Sequence, residues 1–303
     1  MAQPHISISA ETLFFAGPLP ITNSLLSTWV VMAILFLFAF VAGSNIKKHP
    51  SKFQIVIEAC VGGLYGFFRK LGGKHGEHYA PIVTTFFLFI IVSNWFGLLP
   101  GVGTIGFHQD KAEGHAKNSI SKVLAIQSVS TVEEKSEDMY KEHQSVDKHT
   151  KDTNHSKESK THSFVPLFRG PTADLNTTIA LASIAFFSIQ YFGLQFGGSA
   201  YLKRFFDFRS PIFFFVGILE AISDLSKILS FAFRLFGNIF AGEVLLAIMA
   251  FLFAFLLPIP FYGLEIFVGF IQALVFSMLT TVFINVAVSH GEHTSEHHRE
   301  AHA

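Results

Sequence analysis

A single cysteine, Cys60, is all that this chain of 303 residues carries, which excludes a disulfide within it. Charge of either sign is in no excess, with 22 lysines and arginines against 22 aspartates and glutamates. The balance therefore offers no electrostatic footprint for a nucleic-acid partner. Charged residues are scarce altogether: they make up 15% of the chain, where an ordinary soluble domain holds about 25%. The first twenty residues lack the basic n-region of a secretory signal, and the apolar run Leu25 to Ala42 is long enough to remain as a span.

What takes their place is hydrocarbon. Half of the residues are hydrophobic, 37 are phenylalanine, and the mean hydropathy is +0.44, so the expected fold class is an all-α membrane protein. Uncharged runs of about twenty residues mark spans, here Leu25–Gly43, Ala80–Leu99 and Asn176–Gly197. Two longer apolar segments follow, Pro211–Leu257 and Tyr262–Ser289, with Pro258-Ile259-Pro260 as the turn between them. As a helix the first would run about 70 Å at 1.5 Å per residue, more than twice the hydrocarbon thickness. It must break into two spans or lie steeply tilted.

Basic residues choose between these arrangements. Lys47, Lys48, Lys52, Arg69, Lys70 and Lys74 follow the first span, Lys203, Arg204 and Arg209 follow the third, and the proline turn is uncharged. The positive-inside rule then puts the N-terminus outside and the C-terminus inside, which needs five membrane-crossing helices. The last two crossings form a long, steeply tilted helical hairpin. Phe53–Leu71, which includes Glu58, alternates apolar and polar residues with a helical period and predicts an amphipathic helix on the inner surface.

Five regions result: an external N-terminal segment (1–24), the first two spans with the surface helix (25–107), a charged external insert (108–163), a core of the third span and the tilted hairpin (164–289), and a His-rich inner tail (290–303). The insert is rich in Lys, Glu, Asp, Ser and His and poor in aromatics, so it cannot bury enough surface to fold stably alone. Ser119–Val132 is apolar enough for a short surface helix. In the tail, His293 and His297 stand at i, i+4, a spacing that suits a metal ion, but a solvated tail is the simpler reading and no metal site is expected.

Arg234 is the most informative residue, because no other charge lies between Ile228 and Gly242. At the centre of a span a charge costs about 2.5 to 3.5 kcal/mol on insertion scales, and such residues face a bundle interior or an aqueous cavity. With 100° per residue, Glu220, Ser223, Lys227, Ser230 and Asn238 all fall within about 40° of Arg234, and Asp224 flanks that stripe. Glu243 lies about 180° away on the same helix. On the next helix Glu265 and Gln272, seven residues apart, share a face. The hairpin brings Glu265 toward Glu243 and Gln272 toward the level of Arg234. Two polar routes emerge, one from the inside along Glu220 to Ser230 and one from the outside through Glu243 and Glu265, with Arg234 between them.

Plainer readings stand beside this one. Ser223 and Ser230 can bond to helix carbonyls, Gln272 can serve as interhelical glue, and Lys227 can snorkel inward and pair with Glu220 and Asp224. None of these accounts for Arg234 or Glu243, which lie several turns from either end of the segment.

At this point the residues resemble a family. FRLFGNIFAGE, Phe233 to Glu243, closely resembles the signature of the a subunit of F-type rotary ATP synthases, and LEIFVGFIQALVFSMLT, Leu264 to Thr280, resembles the helix that follows it there. PTADLNTTIALA, Pro171 to Ala182, is similar to the start of the family's fourth helix, and NWFGLLPG, Asn94 to Gly101, to the end of its third. The resemblance covers everything except the insert and the tail.

The resemblance implies a membrane stator beside a rotating ring of c subunits, each with a mid-membrane carboxylate, together with peripheral-stalk b subunits and the rest of the synthase. Arg234 matches the family's essential arginine, which attracts the ionised ring carboxylate and separates two half-channels; Asn238 and Gln272 match its neighbours. Glu243 and Glu265 match the ionisable pair of the outer half-channel, and Glu265 stands where some members have histidine. Asp174 and Asn176 match polar residues at the outer mouth. Glu220, Ser223 and Ser230 match the lining of the inner half-channel, where Lys227 and Asp224 also fall. No cofactor and no catalytic site of the chain's own are implied. A bacterial plasma membrane is the expected location, with an organellar inner membrane as the alternative.

The physics agrees with these roles. Arginine stays protonated and cannot relay a proton, whereas carboxylates can; Glu243 and Glu265 are expected to share one. Each charge that crosses releases about 2.3 kcal/mol per 100 mV. An ion-coupled secondary transporter is the alternative function, but such folds carry internal repeats with paired broken helices, and no repeat is visible. A purely structural anchor leaves Arg234 and Glu243 without a purpose.

Overall fold

The computed structural model describes residues 10–16, 19–44, 52–103, 105–110, 162–203, 211–252 and 258–300. Its elements run in the order β1 (Thr12–Ala16), β2 (Leu19–Thr22), α1 (Asn23–Ser44), α2 (Lys52–Leu71), a 3-10 turn (Gly73–His75), α3 (Gly76–Gly97) and β3 (Pro100–Gly103). Then come β4 (Gly106–Asp110), β5 (His162–Pro166), a second 3-10 turn (Pro171–Ala173), α4 (Leu175–Lys203), α5 (Pro211–Leu252) and α6 (Pro258–Glu300). Two compact units divide the chain, Met1–Gly106 with Pro166–Ala303, and Phe107–Val165. In the second, the described residues belong to β4 and β5, which pair with each other. The surface helix expected over Ser119–Val132 lies outside the described residues.

Five helices among the described residues are long and apolar enough to cross a membrane: Asn23–Gly43, Gly73–Gly97, Leu175–Gly198, Phe214–Leu252 and Pro258–Ser289. They correspond to the five crossings expected from the sequence, and α2 is the amphipathic helix. α1 is apolar all round and its Phe36, Leu37 and Phe40 remain exposed, as suits a helix whose solvent is lipid. Thr22 caps it, its Oγ1 accepting the Leu25 N–H at 3.2 Å. An antiparallel β1–β2 hairpin precedes it, a feature not anticipated for the N-terminal segment.

The core lies where α3, α4, α5 and α6 meet. Between helices in lipid the association comes from close packing rather than from release of water, which favours small residues at crossings. Ala182 and Ala185 of α4, Ala232 of α5 and Ala273 of α6 are all fully buried. Phenylalanines fill the gaps: the Phe276 ring sits 4.9 Å from Phe231 and 6.0 Å from Phe86. α4 breaks at Gly198, whose φ of 55° is open mainly to glycine. Beyond the break Tyr201 folds back on Gly193, where a Cβ would come within 2.7 Å of the ring.

α5 is one unbroken helix of 42 residues, about 63 Å long, so the alternative of two short spans is excluded. It runs antiparallel to α6: Lys227 meets Phe283, Phe231 meets Phe276, Asn238 meets Gln272, and Gly242 meets Glu265. Two details differ from the sequence reading. Pro258 to Pro260 form the first turn of α6 rather than a separate turn, since proline has no N–H to lose at a helix start. The helix also continues beyond Ser289 to Glu300. The tail histidines His290, His293, His297, His298 and His302 lie outside the residues whose side chains are described.

Candidate ion-translocation site

Because α5 is continuous, the angular positions counted along it hold in space. Ser223, Ser230 and Arg234 are exposed on one open face, with Gly237 and Ala241 following Arg234 toward the hairpin turn. Glu220, Lys227 and Asn238 are half-buried beside that face, and Asp224 is buried. Among the described residues no hydrogen bond or ion pair reaches Arg234. Its nearest organised neighbour is one turn on, where Asn238 Nδ2 donates to Gln272 Oε1 at 3.3 Å. Gln272 is buried, and its Nε2 has no partner among the described residues.

Toward the end that carries the β1–β2 hairpin, α5 changes face. Gly242 packs directly on the Glu265 carboxylate. Glu265 is buried, with no hydrogen bond or ion pair among the described residues. Glu243, the next residue on α5, turns to Arg169, whose Nη2 lies 3.4 Å from its Oε2. The two carboxylates thus meet at one level of the hairpin, Glu243 on α5 and Glu265 on α6, but each has its own surroundings. Asp174 is buried at the start of α4, where its Oδ1 accepts the Asn176 N–H at 3.3 Å and its carbonyl accepts the Thr178 N–H at 3.2 Å. Its position is that of a helix cap. Asn176 is exposed beside it.

Two groups escaped the sequence reading. Asn94 of α3 joins three elements: its Nδ2 donates to Gly269 O at 3.0 Å and its Oδ1 accepts from Thr172 Oγ1 at 2.8 Å. Arg169 is the other, a buried cation in the loop before the second 3-10 turn. Periodicity says nothing about a loop residue, although an arginine standing just ahead of Pro171-Thr172-Ala173-Asp174 was a visible signal.

At the opposite end Asp224 collects donors. Lys227 Nζ lies 2.6 Å from its Oδ1 and Gln190 Nε2 lies 3.2 Å from its Oδ2, while Tyr201 donates to Gln190 Oε1 at 2.8 Å. Lys227 also stands 5.0 Å over the Phe283 ring. Asp224 and Lys227 therefore tie α5 to α4 and α6, whereas Ser223 and Ser230 lie on the open side.

These features define a multi-pass membrane protein built round an ionic site within its spans. Comparison with known proteins supplies the family: the model described as ATP synthase A chain matches residues 25–285, and the chain belongs to that family. It is similar to ATP synthase subunit a 1 of Pelobacter propionicus, 30% identical over 260 residues that cover 85% of this chain and 83% of the relative. It is also similar to ATP synthase subunit a of Gloeobacter violaceus, 30% identical over 291 residues covering 95% and 93%. ATP synthase subunit a of Geotalea daltonii is 27% identical over 267 residues, covering 87% and 86%. Membership makes the chain a component of the ATP synthase complex, and the secondary-transporter alternative is set aside.

Proposed function

We propose that this chain is the proton-translocating stator subunit of a rotary ATP synthase, and that Arg234 separates two half-channels beside a turning ring of c subunits. The observation that carries this reading is an exposed arginine, without a partner among the described residues, on the open face of the longest apolar run. The cost of such a charge in a membrane must be offset from outside the chain, and a ring carboxylate is the complementary group. Protons enter at the end of the β1–β2 hairpin, past Asp174 and Asn176, and pass by Glu243 and Glu265 to the ring. After rotation Arg234 draws the carboxylate into its ionised form, and the proton leaves along Ser230, Ser223 and Glu220. Arginine holds its proton throughout, so it blocks direct passage between routes that open on different faces of α5.

Residues 164–289 form the translocating core in this reading, with the segment before β1 outside, the end of α6 inside, and the peripheral-stalk b subunits and soluble ATPase completing the assembly. The bacterial relatives support a plasma membrane.

The ring contact has a direct test. Cys60 is exposed and is the chain's only cysteine, so Cys60→Ser gives a cysteine-free background. In membranes, Ala241→Cys on the open face is expected to form a disulfide with a cysteine placed next to the ring carboxylate, and Leu235→Cys, at a fully buried position, is not. A product from Leu235→Cys alone would reverse the proposed face.

Gly242 supports the roles of its neighbours in a testable way. A Cβ there would meet the Glu265 carboxylate. Gly242→Ala should leave α5 at least as helical, since alanine exceeds glycine by about 1 kcal/mol in helix interiors. It should displace that carboxylate and lower ATP-driven proton pumping by about tenfold or more. Pumping at the wild-type rate would remove Glu265 from the pathway at this position.

A further inference from the structure

Arg169 is a buried cation, and the route described above makes no use of it. Its backbone is held from several sides. The Arg169 N–H donates to Ser27 Oγ at 3.2 Å, and that hydroxyl spends its own proton on Asn23 O at 3.0 Å. On one side of it Phe168 O accepts the Gly103 N–H at 2.9 Å. On the other, the Gly170 backbone lies so close to Gly97 that a Cβ on Gly97 would come within 3.2 Å of the Gly170 Cα. The loop is thus pinned to α1, α3 and β3. From this mount the guanidinium, with its side chain 8% exposed, reaches Glu243, whose side chain is 44% exposed.

The partners are unequal. One is a permanently charged group on a fixed support; the other is an accessible carboxylate on the helix that carries Arg234. The geometry points to Arg169 as a positioning residue of the outer half-channel, holding the Glu243 carboxylate on the side of α5 that faces the loop before α4. Without it the carboxylate is free to adopt other rotamers, away from the turn of α5 on which Gly242 meets Glu265. This inference rests on Glu243 as a proton carrier and adds the group that fixes where the carrier stands. Arg169 itself moves no proton.

The test is a double-mutant cycle in membrane vesicles, reading ATP-driven proton pumping against the amount of the chain present. Arg169→Gln is expected to lower pumping by about tenfold to a hundredfold, the scale of loss when a reacting group is misplaced by about an ångström. Arg169→Lys should restore part of it. In a Glu243→Gln background, Arg169→Gln should cost nothing further, because the carboxylate it positions is gone. Equal fold losses in both backgrounds would mean that Arg169 merely supports the fold, and would overturn the inference alone. Normal pumping by Arg169→Gln would overturn it too. Normal pumping by Glu243→Gln would instead sink the underlying reading of Glu243. Should Arg169→Gln fail to accumulate, the cycle run with Arg169→Lys has the same two outcomes: a loss confined to the Glu243 background supports the inference, and equal losses overturn it.

Discussion

Arg234→Ala is expected to abolish ATP-driven proton pumping and ATP synthesis while leaving the chain in the membrane at its normal level. Both halves of that expectation follow from its position. Because no group among the described residues is bonded to Arg234, its removal leaves no buried partner uncompensated, and assembly should survive. The functional loss should be large. Two opposite charges about 4 Å apart at an effective dielectric near 20 attract by about 4 kcal/mol, and each 1.36 kcal/mol is about a factor of ten in rate. Losing that attraction therefore removes roughly three orders of magnitude from the step in which a ring carboxylate gives up its proton. Arg234→Lys keeps the charge but not the length or the planar fork, and is not expected to restore coupling. Normal coupling in the alanine variant would sink the proposed function.

The second large effect concerns the carboxylates. Glu243→Gln and Glu265→Gln should each reduce pumping by a smaller factor than the loss of Arg234, because one proton-carrying group remains at that level of the hairpin, and the double variant should stop pumping. Their surroundings make the two singles distinguishable in the membrane. Glu265→Gln puts a neutral amide in place of a buried group that has no partner among the described residues, so the fold should tolerate it. Glu243→Gln keeps an acceptor for Arg169 but removes the opposite charge, so the amount of chain in the membrane should fall somewhat. Complete and equal loss in both single variants would instead identify an obligatory relay through both groups.

The helical framework was legible in the sequence because hydrocarbon thickness acts on run length, and run length is a local property. The stripe through Ser223, Ser230 and Arg234 was legible for the same kind of reason: one unbroken helix converts spacing into angle. What escaped depends on contacts between distant segments. The Arg169–Glu243 pair joins a loop to a helix 74 residues on, and no periodicity encodes that. The fold of Tyr201 back to Gln190 needed the break at Gly198 before it could be seen. Asp224 and Lys227 were read as channel lining, with pairing as the plainer alternative, and they do form an ion pair. The β1–β2 hairpin did have a local signal, since Gly17-Pro18 stands between its strands and such dipeptides mark turns.

The two small residues that follow Arg234 on the open face of α5 bear on mechanics. Helices lock when side-chain ridges of one settle into grooves of the other. Gly237 has no side chain to raise as a ridge, and Ala241 has only a methyl. In the proposed ring contact, a helix passing over Gly237 and Ala241 meets a nearly smooth track. Arg234, beside the exposed ring of Phe233, is the long charged group there, and it is flexible and acts through charge rather than shape. A contact built in this way resists sliding very little, while still holding a passing carboxylate for a moment, which is what a bearing with a single catch has to do.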